Sequence, residues 1–299
     1  MPLSITNHFI SSYARDVFHL AQQRESRLLQ GVTVHVQANG DRFFVNNLGT
    51  IEASLITDRG GDSPSHDLAH DRRMITFDDY EIGILVDKPD ILKTNYDPTN
   101  DYTTAVSAGM GRQIDSLIIT ALGGTSYSGA TGGTANTLAA ANQIAVDYVE
   151  TGAATNSGLT VGKLRQAANI LGEFEIPEGP GERYIGCTQQ QITDLLRDDE
   201  ATNRDYNSVQ ALVDGRINYF MGFTFLRSQL FSLNSSTDVR TIFAWGRGWL
   251  HLGIAQGPMV RYGERPDKRF NPYLYTMMSL GATRMEEKGV VEISADESP

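Results

Sequence analysis

Cysteine and lysine are both scarce in this chain of 299 residues, and each scarcity excludes a kind of chemistry. Cys187 is the single cysteine, so no disulfide bond can form within the chain. No basic residue stands next to it in sequence to favour a thiolate, and we expect a small buried hydrophobic residue there. Lysine occurs at five positions and none precedes Lys88, so the segment before Lys88 offers no side-chain amine for covalent chemistry.

Basic charge and long apolar runs are in short supply as well. The formal net charge is −11, which argues against a nucleic-acid-binding surface, because a basic face is needed to neutralise phosphate groups. The N-terminal stretch MPLSITNHFISSYARDVFHLAQQ contains no long apolar run, so neither a signal peptide nor a membrane anchor is predicted. We expect a soluble protein made in a cytoplasm. Hydrophobic residues make up 40% of the chain, enough for a folded core.

Sequence signatures of catalysis are missing too. The glycine pairs at 123–124 and 132–133 are not followed by the Lys-Ser/Thr of a phosphate-binding loop, and no serine lies in a nucleophile elbow. The acidic run at residues 198–200 predicts an exposed turn, with weak binding of a divalent cation as the alternative. We predict no enzymatic activity and no cofactor.

One pattern leaves a metal-dependent reading open. His66-Asp67 and His70-Asp71 repeat at a spacing of four, which would place both histidines on one face of a helix. A metal-dependent hydrolase could use such a pair. The glycines and the proline around the pattern disfavour a rigid helix. A metal site also needs surrounding residues that hold its ligands in place. A solvated, charged loop is therefore the preferred interpretation.

The chain's most regular stretch is a helix predicted from Asp97 to Leu122. Asp97 can cap its start with Pro98 at the first helical position, and Gly123-Gly124 can end it. At 1.5 Å per residue the helix is about 37 Å long, which suits a strut across a flat subunit. The apolar side chains that recur every four residues along it are Tyr102, Val106, Met110, Ile114 and Ile118.

The segments before this helix have little of their own to bury. A helix is predicted from Ser11 or Ser12 to Gln30, with an apolar face that packs on another surface. Strands are predicted at 50–57 and 74–86, separated by a polar, solvent-projecting tip at 58–73. A two-stranded ribbon of this kind is not stable alone in water, and no partner surface for it is evident in the sequence.

The segments after the helix mix helices and strands without βαβ regularity, which predicts an α+β fold. Residues 123–136 are rich in glycine, serine and threonine and predict a flexible loop. The predicted helices are 138–148, 160–174 and 189–196, and the predicted sheet segments are 183–188, 219–230, 237–254, 273–284 and 290–293.

This order of parts resembles the major capsid proteins of tailed double-stranded DNA phages, which have the HK97 fold. The resemblance covers essentially the whole chain and rests on several motifs in order. The long helix opens with DPT…Y and carries Gly111-Arg112-x-x-Asp115, and the chain ends in SLGATRMEEKGVVEI at 279–293. Residues 72–90, RRMITFDDYEIGILVDKPD, and residues 205–228, DYNSVQALVDGRINYFMGFTFLRS, also look like one branch of that family.

The resemblance implies a division of the chain into four parts. These would be an N-arm at 1–30, an extended loop (E-loop) at 46–80, a peripheral (P) domain at 31–45, 81–137 and 259–299, and an axial (A) domain at 138–258. Because the segment before Lys88 lacks lysine, the resemblance does not extend to a covalent lysine cross-link from the E-loop. The absence of a long leading segment implies a separate scaffolding protein.

The implied function is that of a shell protein, which self-assembles as hexamers and pentamers into an icosahedral head. The shell would enclose DNA without reading its sequence. The implied partners are a scaffolding protein, a portal protein at one vertex and a cement or decoration protein, with no membrane. The chain would be made in the host bacterial cytoplasm and reside in the virion. The alternatives are an encapsulin-type nanocompartment, a tail or tube protein, and the hydrolase that would use His66 and His70.

Charged side chains of both signs at the predicted tip are the candidate contacts between subunits. Exposed ion pairs are worth roughly 0–1 kcal/mol each, so register and specificity are their expected contribution. Reversing Arg72 and Arg73 to Glu is then expected to reduce assembly while leaving subunit folding intact. The six candidates are Asp58, Arg59, Asp62, Asp67, Arg72 and Arg73.

Overall fold

A computed structural model describes most of the chain. The described residues are 23–36, 40–55, 65–86, 99–150, 152–197 and 218–298. Five predictions fall outside these residues in whole or in part: the N-terminal helix up to residue 22, the strand at 50–57 for its residues 56–57, the tip at 58–73 for its residues 58–64, the helix cap at 97–98 and the acidic turn at 198–200.

Within the described residues, three α-helices are α1 (Thr99–Gly123), α2 (Val161–Glu173) and α3 (Gln189–Arg197). The strands are β1 (Thr33–Val36), β2 (Arg42–Leu48), β3 (His70–Thr76), β4 (Asp78–Leu85), β5 (Ser126–Ser128), β6 (Thr134–Asn136), β7 (Gln143–Ile144), β8 (Arg183–Cys187), β9 (Tyr219–Phe220), β10 (Phe223–Arg227), β11 (Leu233–Asn234), β12 (Val239–Gly246), β13 (Leu250–Arg265), β14 (Asn271–Arg284) and β15 (Val290–Asp296). The mixture has no βαβ regularity, as predicted for an α+β fold.

A seven-stranded sheet holds the main core. Its strand order is β7-β15-β12-β8-β10-β9, with β11 paired to β12. Every residue of the central strand β8 is buried, which is why its sequence does not alternate between apolar and polar. Thr160 caps α2 by accepting a hydrogen bond from the Lys163 amide, and α2 packs against this sheet. The helices predicted at 160–174 and 189–196 are thus confirmed as α2 and α3, but 138–148 is a 3₁₀ turn followed by β7.

A buried lysine ties α2 to its surroundings. The Lys163 side chain is fully buried, and its Nζ donates to the carbonyl oxygens of Val146 (2.9 Å), Ser157 (2.7 Å) and Ser294 (2.9 Å). Burial lowers the pKa of Lys163 to about 8, and the charge of Asp296 opposes that shift. The three donated hydrogen bonds satisfy an ammonium group completely, so this cation stabilises the fold although it is removed from water.

A four-stranded sheet, ordered β1-β13-β14-β4, lies under the long helix α1. Strands β13 and β14 form a long antiparallel hairpin, and Met110 of α1 packs on Met278 and Leu280 of β14. The helix predicted from Asp97 to Leu122 is observed as Thr99–Gly123, so the prediction is confirmed within the described residues.

A second four-stranded sheet, ordered β2-β3-β5-β6, corrects three predictions. The ribbon is formed by β2 and β3, whereas residues 50–55, which were predicted as a strand, contain none. The strand predicted at 74–86 breaks at Phe77 into β3 and β4, which join different sheets. Residues 123–136 do not form a flexible loop, because β5 and β6 lie there. Strand β5 pairs with β3 and β6 pairs with β5, so the chain itself supplies the ribbon with a partner.

The predicted N-terminal helix is also wrong for its described end. Residues 23–28 are not helical, and only a short 3₁₀ turn, Leu29–Gly31, follows them. Their backbone amides bond to a side chain of α1 instead of to each other, which is described in the next section.

Replacing Lys163 by Met should lower the free energy of unfolding by about 3 kcal/mol, because three buried carbonyl groups lose their donor. Urea unfolding of the purified subunit, followed by fluorescence, would measure the change. Lys268→Met is the matched control, since Lys268 is exposed at the hairpin turn, and it should leave stability within about 0.5 kcal/mol. Equal stability of the two variants would contradict a structural role for the buried ammonium.

Candidate assembly surfaces

A buried carboxylate on α1 holds the segment that leads into the fold. Asp115 is fully buried, and its two oxygens accept hydrogen bonds from four donors. Ser26 Oγ lies 2.5 Å from one oxygen, the backbone nitrogens of Arg27 and Leu28 lie 3.0 and 3.2 Å away, and Gln23 Nε2 is the fourth donor. A buried charge of this kind is tolerated only when hydrogen bonds replace its water, and here they all come from residues 23–28. We call this arrangement the Asp115 clamp.

The Gly111-Arg112-x-x-Asp115 motif builds the clamp. Glycine at position 111 lets the backbone of the segment approach, since a Cβ there would lie 3.1 Å from the Ser26 nitrogen. Arg112 Nη1 donates to the Gln23 carbonyl oxygen at 3.1 Å. The sequence identified the motif, but its role depends on residues almost ninety positions earlier in the chain.

The clamped segment also reaches the seven-stranded sheet. Ser228 Oγ donates to Gln23 Oε1 at 3.2 Å, and Arg27 Nη1 donates to the Arg227 carbonyl at 3.1 Å. Trp245 Nε1 donates to the Gly31 carbonyl at 2.8 Å. The segment therefore joins α1 to the main core.

The ribbon of β2 and β3 is well supported at its base, and the described residues that directly follow β2 are exposed. Just beyond the paired strands, Gly49 N donates to the Ala69 carbonyl oxygen at 2.8 Å. Three apolar side chains are exposed at the end of β2 and just after it: Leu48, Ile51 and Leu55, the last of which is 86% exposed. Exposed apolar side chains clustered at a projecting end are typical of surfaces that contact another chain.

The structure separates the six candidate contacts into different groups. Asp58, Arg59 and Asp62 lie outside the described residues. Asp67 is exposed and forms no salt bridge within the part of the chain that the structure covers. Arg72 is half-buried, with its guanidinium 4.5 Å from the centre of the Phe44 ring and a hydrogen bond to the Ala130 carbonyl.

Arg73 is not a tip residue, and that prediction is corrected. It is buried in β3, where Nη1 donates to Ser126 Oγ and Nη2 to Glu287 Oε2, both at 3.2 Å. Ser126 Oγ also donates to Glu287 Oε1 at 3.0 Å, which closes the network. Reversing Arg73 to Glu would bury two carboxylates side by side, so folding would not stay intact as the sequence had suggested. Only a spatial neighbour from the distant end of the chain reveals this role.

The histidines of the ribbon do not form the helical pair that a hydrolase would need. His66 lies in a non-helical stretch and His70 begins β3. His66 Nε2 is 3.1 Å from Ser54 Oγ, and no group of three or more His, Cys, Asp or Glu side chains within the described ranges could hold a metal ion.

The far end of the β13–β14 hairpin is the second uncovered surface. Strand β1 pairs with β13 only from His251 to Ile254, so the outer edge of β13 beyond that point has no strand beside it within the described residues. Val260, Tyr262 and Phe270 are each more than half exposed there. Arg265 and Asp267 form an ion pair of 2.7 Å at the turn.

An apolar groove of about 490 Å³ runs beside this edge. Its walls are α1, the clamped segment, β13 and β14, and it is lined by Val106, Met110, Val260, Leu274 and Thr276 among others. The Thr276 hydroxyl is buried and has no hydrogen-bond partner among the described residues. The groove thus combines apolar walls with an unused polar group.

No helix in the described part of the chain has both the length and the apolar composition needed to cross a membrane.

Comparison with known proteins gives one family and one fold. A family model described as phage capsid protein matches residues 5–297. The chain is similar to the capsid structure of cyanophage P-SCSP1u, with 15% identity, a TM-score of 0.74 and coverage of 100% of this chain and 96% of that one. No curated protein matches the sequence.

Two further solved structures agree. The capsid of Ralstonia phage GP4 is 12% identical, with a TM-score of 0.72 and coverage of 96% of both chains. The acidic stable capsid structure of Helicobacter pylori bacteriophage KHP30 is 10% identical, with a TM-score of 0.71 and coverage of 96% of this chain and 95% of that one. The α+β fold of the HK97 capsid type that the sequence predicted is confirmed.

Replacing Asp115 by Asn should release residues 23–28, because one amide oxygen cannot serve four donors and the amide nitrogen would face them. We expect trypsin to cleave after Arg24 and Arg27 faster than in the unchanged protein, with fragments identified by mass spectrometry. Asp147→Asn, at an exposed position, is the control. Cleavage at the unchanged rate in Asp115→Asn would show that the clamp does not hold the segment.

Proposed function

The chain belongs to the phage capsid protein family, and from this membership we propose that it is the major capsid protein of a tailed phage. In this proposal it self-assembles as hexamers and pentamers into the icosahedral head shell that encloses the double-stranded DNA genome. We assign it no enzymatic activity. It is made in the cytoplasm of the bacterial host and resides in the virion.

The observation that carries the proposal is the contrast between supported bases and uncovered ends. The ribbon is fixed at its base by the Arg73–Glu287 ion pair and by the Asn47 hydrogen bond to Glu286, at 2.9 Å. Its end exposes Leu55, and the end of the hairpin exposes Tyr262. Each apolar contact made by such ends in an assembly contributes about 25 cal/mol per Å² buried, and many weak contacts closed into a shell give high avidity.

Charge indicates which ends meet. Residues 49–71 at the ribbon end carry five acidic residues and one arginine, a net charge of −4. Residues 261–269 at the hairpin end carry four basic and two acidic residues, a net charge of +2. Opposite charges steer association and fix register, so the ribbon end of one subunit contacts the hairpin end of a neighbour. Among the predicted tip residues that the structure describes, Asp67 is the candidate for a contact with a neighbouring subunit. Arg72 instead contacts Phe44 and Ala130 of its own chain and supports the ribbon.

The domain division follows the same proposal. Residues 1–30 form the N-arm and residues 46–80 the E-loop; the P-domain comprises 31–45, 81–137 and 259–299, with α1 as its spine, and the A-domain is 138–258. The Asp115 clamp supports an anchoring role for the end of the N-arm. The absence of lysine before Lys88 supports a shell held by non-covalent contacts from the E-loop. A scaffolding protein, a portal protein and a cement protein are supported by family membership alone.

Electron microscopy and nuclease treatment of particles formed in bacterial cells test the proposal. Closed icosahedral particles whose interior protects phage DNA would support a head shell. Closed particles that copurify with an enzyme cargo and hold no DNA would favour the encapsulin alternative, and tubes would favour a tail protein. A solitary subunit under conditions in which the phage is produced would contradict all three.

Removing the ribbon end should abolish closed particles while leaving the subunit folded. Because Gly49 and Ala69 already share a hydrogen bond, Asn-Gly can replace residues 50–68 as a two-residue hairpin turn. Circular dichroism and urea unfolding would report folding, and electron microscopy would report particles.

A second variant keeps the length of residues 50–68 but uses only glycine and serine, which separates loss of side chains from loss of reach. The control makes the same replacement in the exposed loop at 152–155. Normal particle yield from both ribbon variants would remove the ribbon end from the assembly contacts.

A further inference from the structure

Two histidines face each other where strand β1 joins strand β13. His35 Nε2 and His251 Nδ1 are 2.7 Å apart, and the two rings are stacked with their centres separated by 4.9 Å. His251 Nε2 lies 3.0 Å from the Gly248 carbonyl oxygen. Both rings are partly buried. Neither takes part in the contacts on which the proposed function rests.

The hydrogen bonds determine which nitrogens carry protons. A carbonyl oxygen only accepts, so His251 Nε2 must hold a hydrogen and, in the neutral ring, His251 Nδ1 is bare. His35 Nε2–H then donates to it. A first added proton can settle on His35 Nδ1 without disturbing this bond. A second would have to settle on His251 Nδ1, and two N–H groups would then point at each other across 2.7 Å.

Among the described residues, the side chains that face the pair offer no negative charge that would compensate for two positive charges. Strand β2 contributes the Phe43 ring, 5.5 Å from that of His35, and β14 places the uncharged Thr283 opposite His251. Of the two nearest cationic residues in sequence, Arg42 pairs with Asp41 at 3.6 Å, and Arg247 is exposed.

Neither ring forms a salt bridge with a carboxylate in the described part of the chain. Burial lowers the pKa of His251, His35 lowers it further, and the Gly248 carbonyl opposes the shift.

The pair lies where an edge strand is attached to its sheet. Strand β1 is an edge strand that touches β13 at four positions, from Thr33 opposite His251 to Val36 opposite Ile254. Within the described chain β2, the first strand of the ribbon, follows it. Because so few pairs attach β1, the loss of one buried hydrogen bond and the gain of one repulsion weigh heavily on it.

We propose that the His35–His251 pair is a proton-sensitive latch, which holds β1 against β13 at neutral pH and releases it when both rings are protonated. The attached state resists the second protonation, which would place a proton on His251 Nδ1 opposite the His35 N–H, whereas the detached state does not. Attachment is therefore weakened as the pH falls below the ordinary histidine pKa of about 6.5, and the full strength of the latch is present above it.

Hydrogen exchange of the full-length protein, measured by mass spectrometry and corrected for the intrinsic exchange rate, tests the latch. Between about pH 7.5 and about pH 5, the amides of β1 and of Leu252 and Ile254 should lose protection by more than about twofold. Amides of β8 in the main core should keep theirs. Unchanged protection of β1 over this range would overturn the proposal.

Glutamine variants separate the latch from a general effect of acid. In His251→Gln the amide oxygen can accept from His35 and the amide nitrogen can donate to the Gly248 carbonyl, so the contacts remain without a second site of protonation. His35→Gln keeps the donor and serves as the second variant if His251→Gln does not fold. Both should lose less than about twofold protection, whereas His66→Gln, at an exposed position, should behave like the unchanged protein. Acid-induced loss in the glutamine variants equal to that of the unchanged protein would contradict the latch.

Discussion

The buried carboxylate of Asp115 is the interaction on which the arrangement of the whole subunit depends. An anion removed from water must be surrounded by donors, and α1 cannot supply them because its own amides are used within the helix. The donors come from residues 23–28, which are thereby held against α1, and the chain then reaches the seven-stranded sheet at Gly31. One hydrogen-bonded charge thus positions the long helix, the entering segment and the main core relative to one another.

Buried cations also hold separate segments of the fold together, although the chain as a whole is acidic. Lys163 bonds to three carbonyls from separate segments, and Arg284 donates to the Ala121 and Leu122 carbonyls at the end of α1. Positive charge at the C-terminal end of a helix also interacts favourably with the helix dipole. Arg73 fixes the ribbon through Glu287. These groups are costly to bury and strongly destabilising to unpair, so they favour one arrangement of the elements over its competitors.

The subunit is well supported where its sheets and helices meet, whereas the ends of its ribbon and hairpin expose apolar side chains. Sheets and buried ion pairs fix the bases of the ribbon and of the hairpin, but their ends carry exposed apolar side chains and opposite net charges. Such a division suits a protein whose fold must be settled before assembly and whose remaining apolar surface is covered only by other copies. The His35–His251 pair joins β1, which precedes the ribbon in the chain, to β13 of the hairpin.

The sequence alone determined the elements whose signal is local. The periodicity of α1 and α2 and the strand segment of β8 were predicted within one or two residues of their observed bounds, and the order of motifs indicated the fold. The tertiary structure decided what local patterns do not contain: that β5 and β6 support the ribbon, that Arg73 is buried, and that Asp115 holds residues 23–28. The physical reason is that pairing and charge satisfaction depend on neighbours far away in the chain, such as Glu287 for Arg73, whereas helical and strand periodicity depend on the nearest few residues.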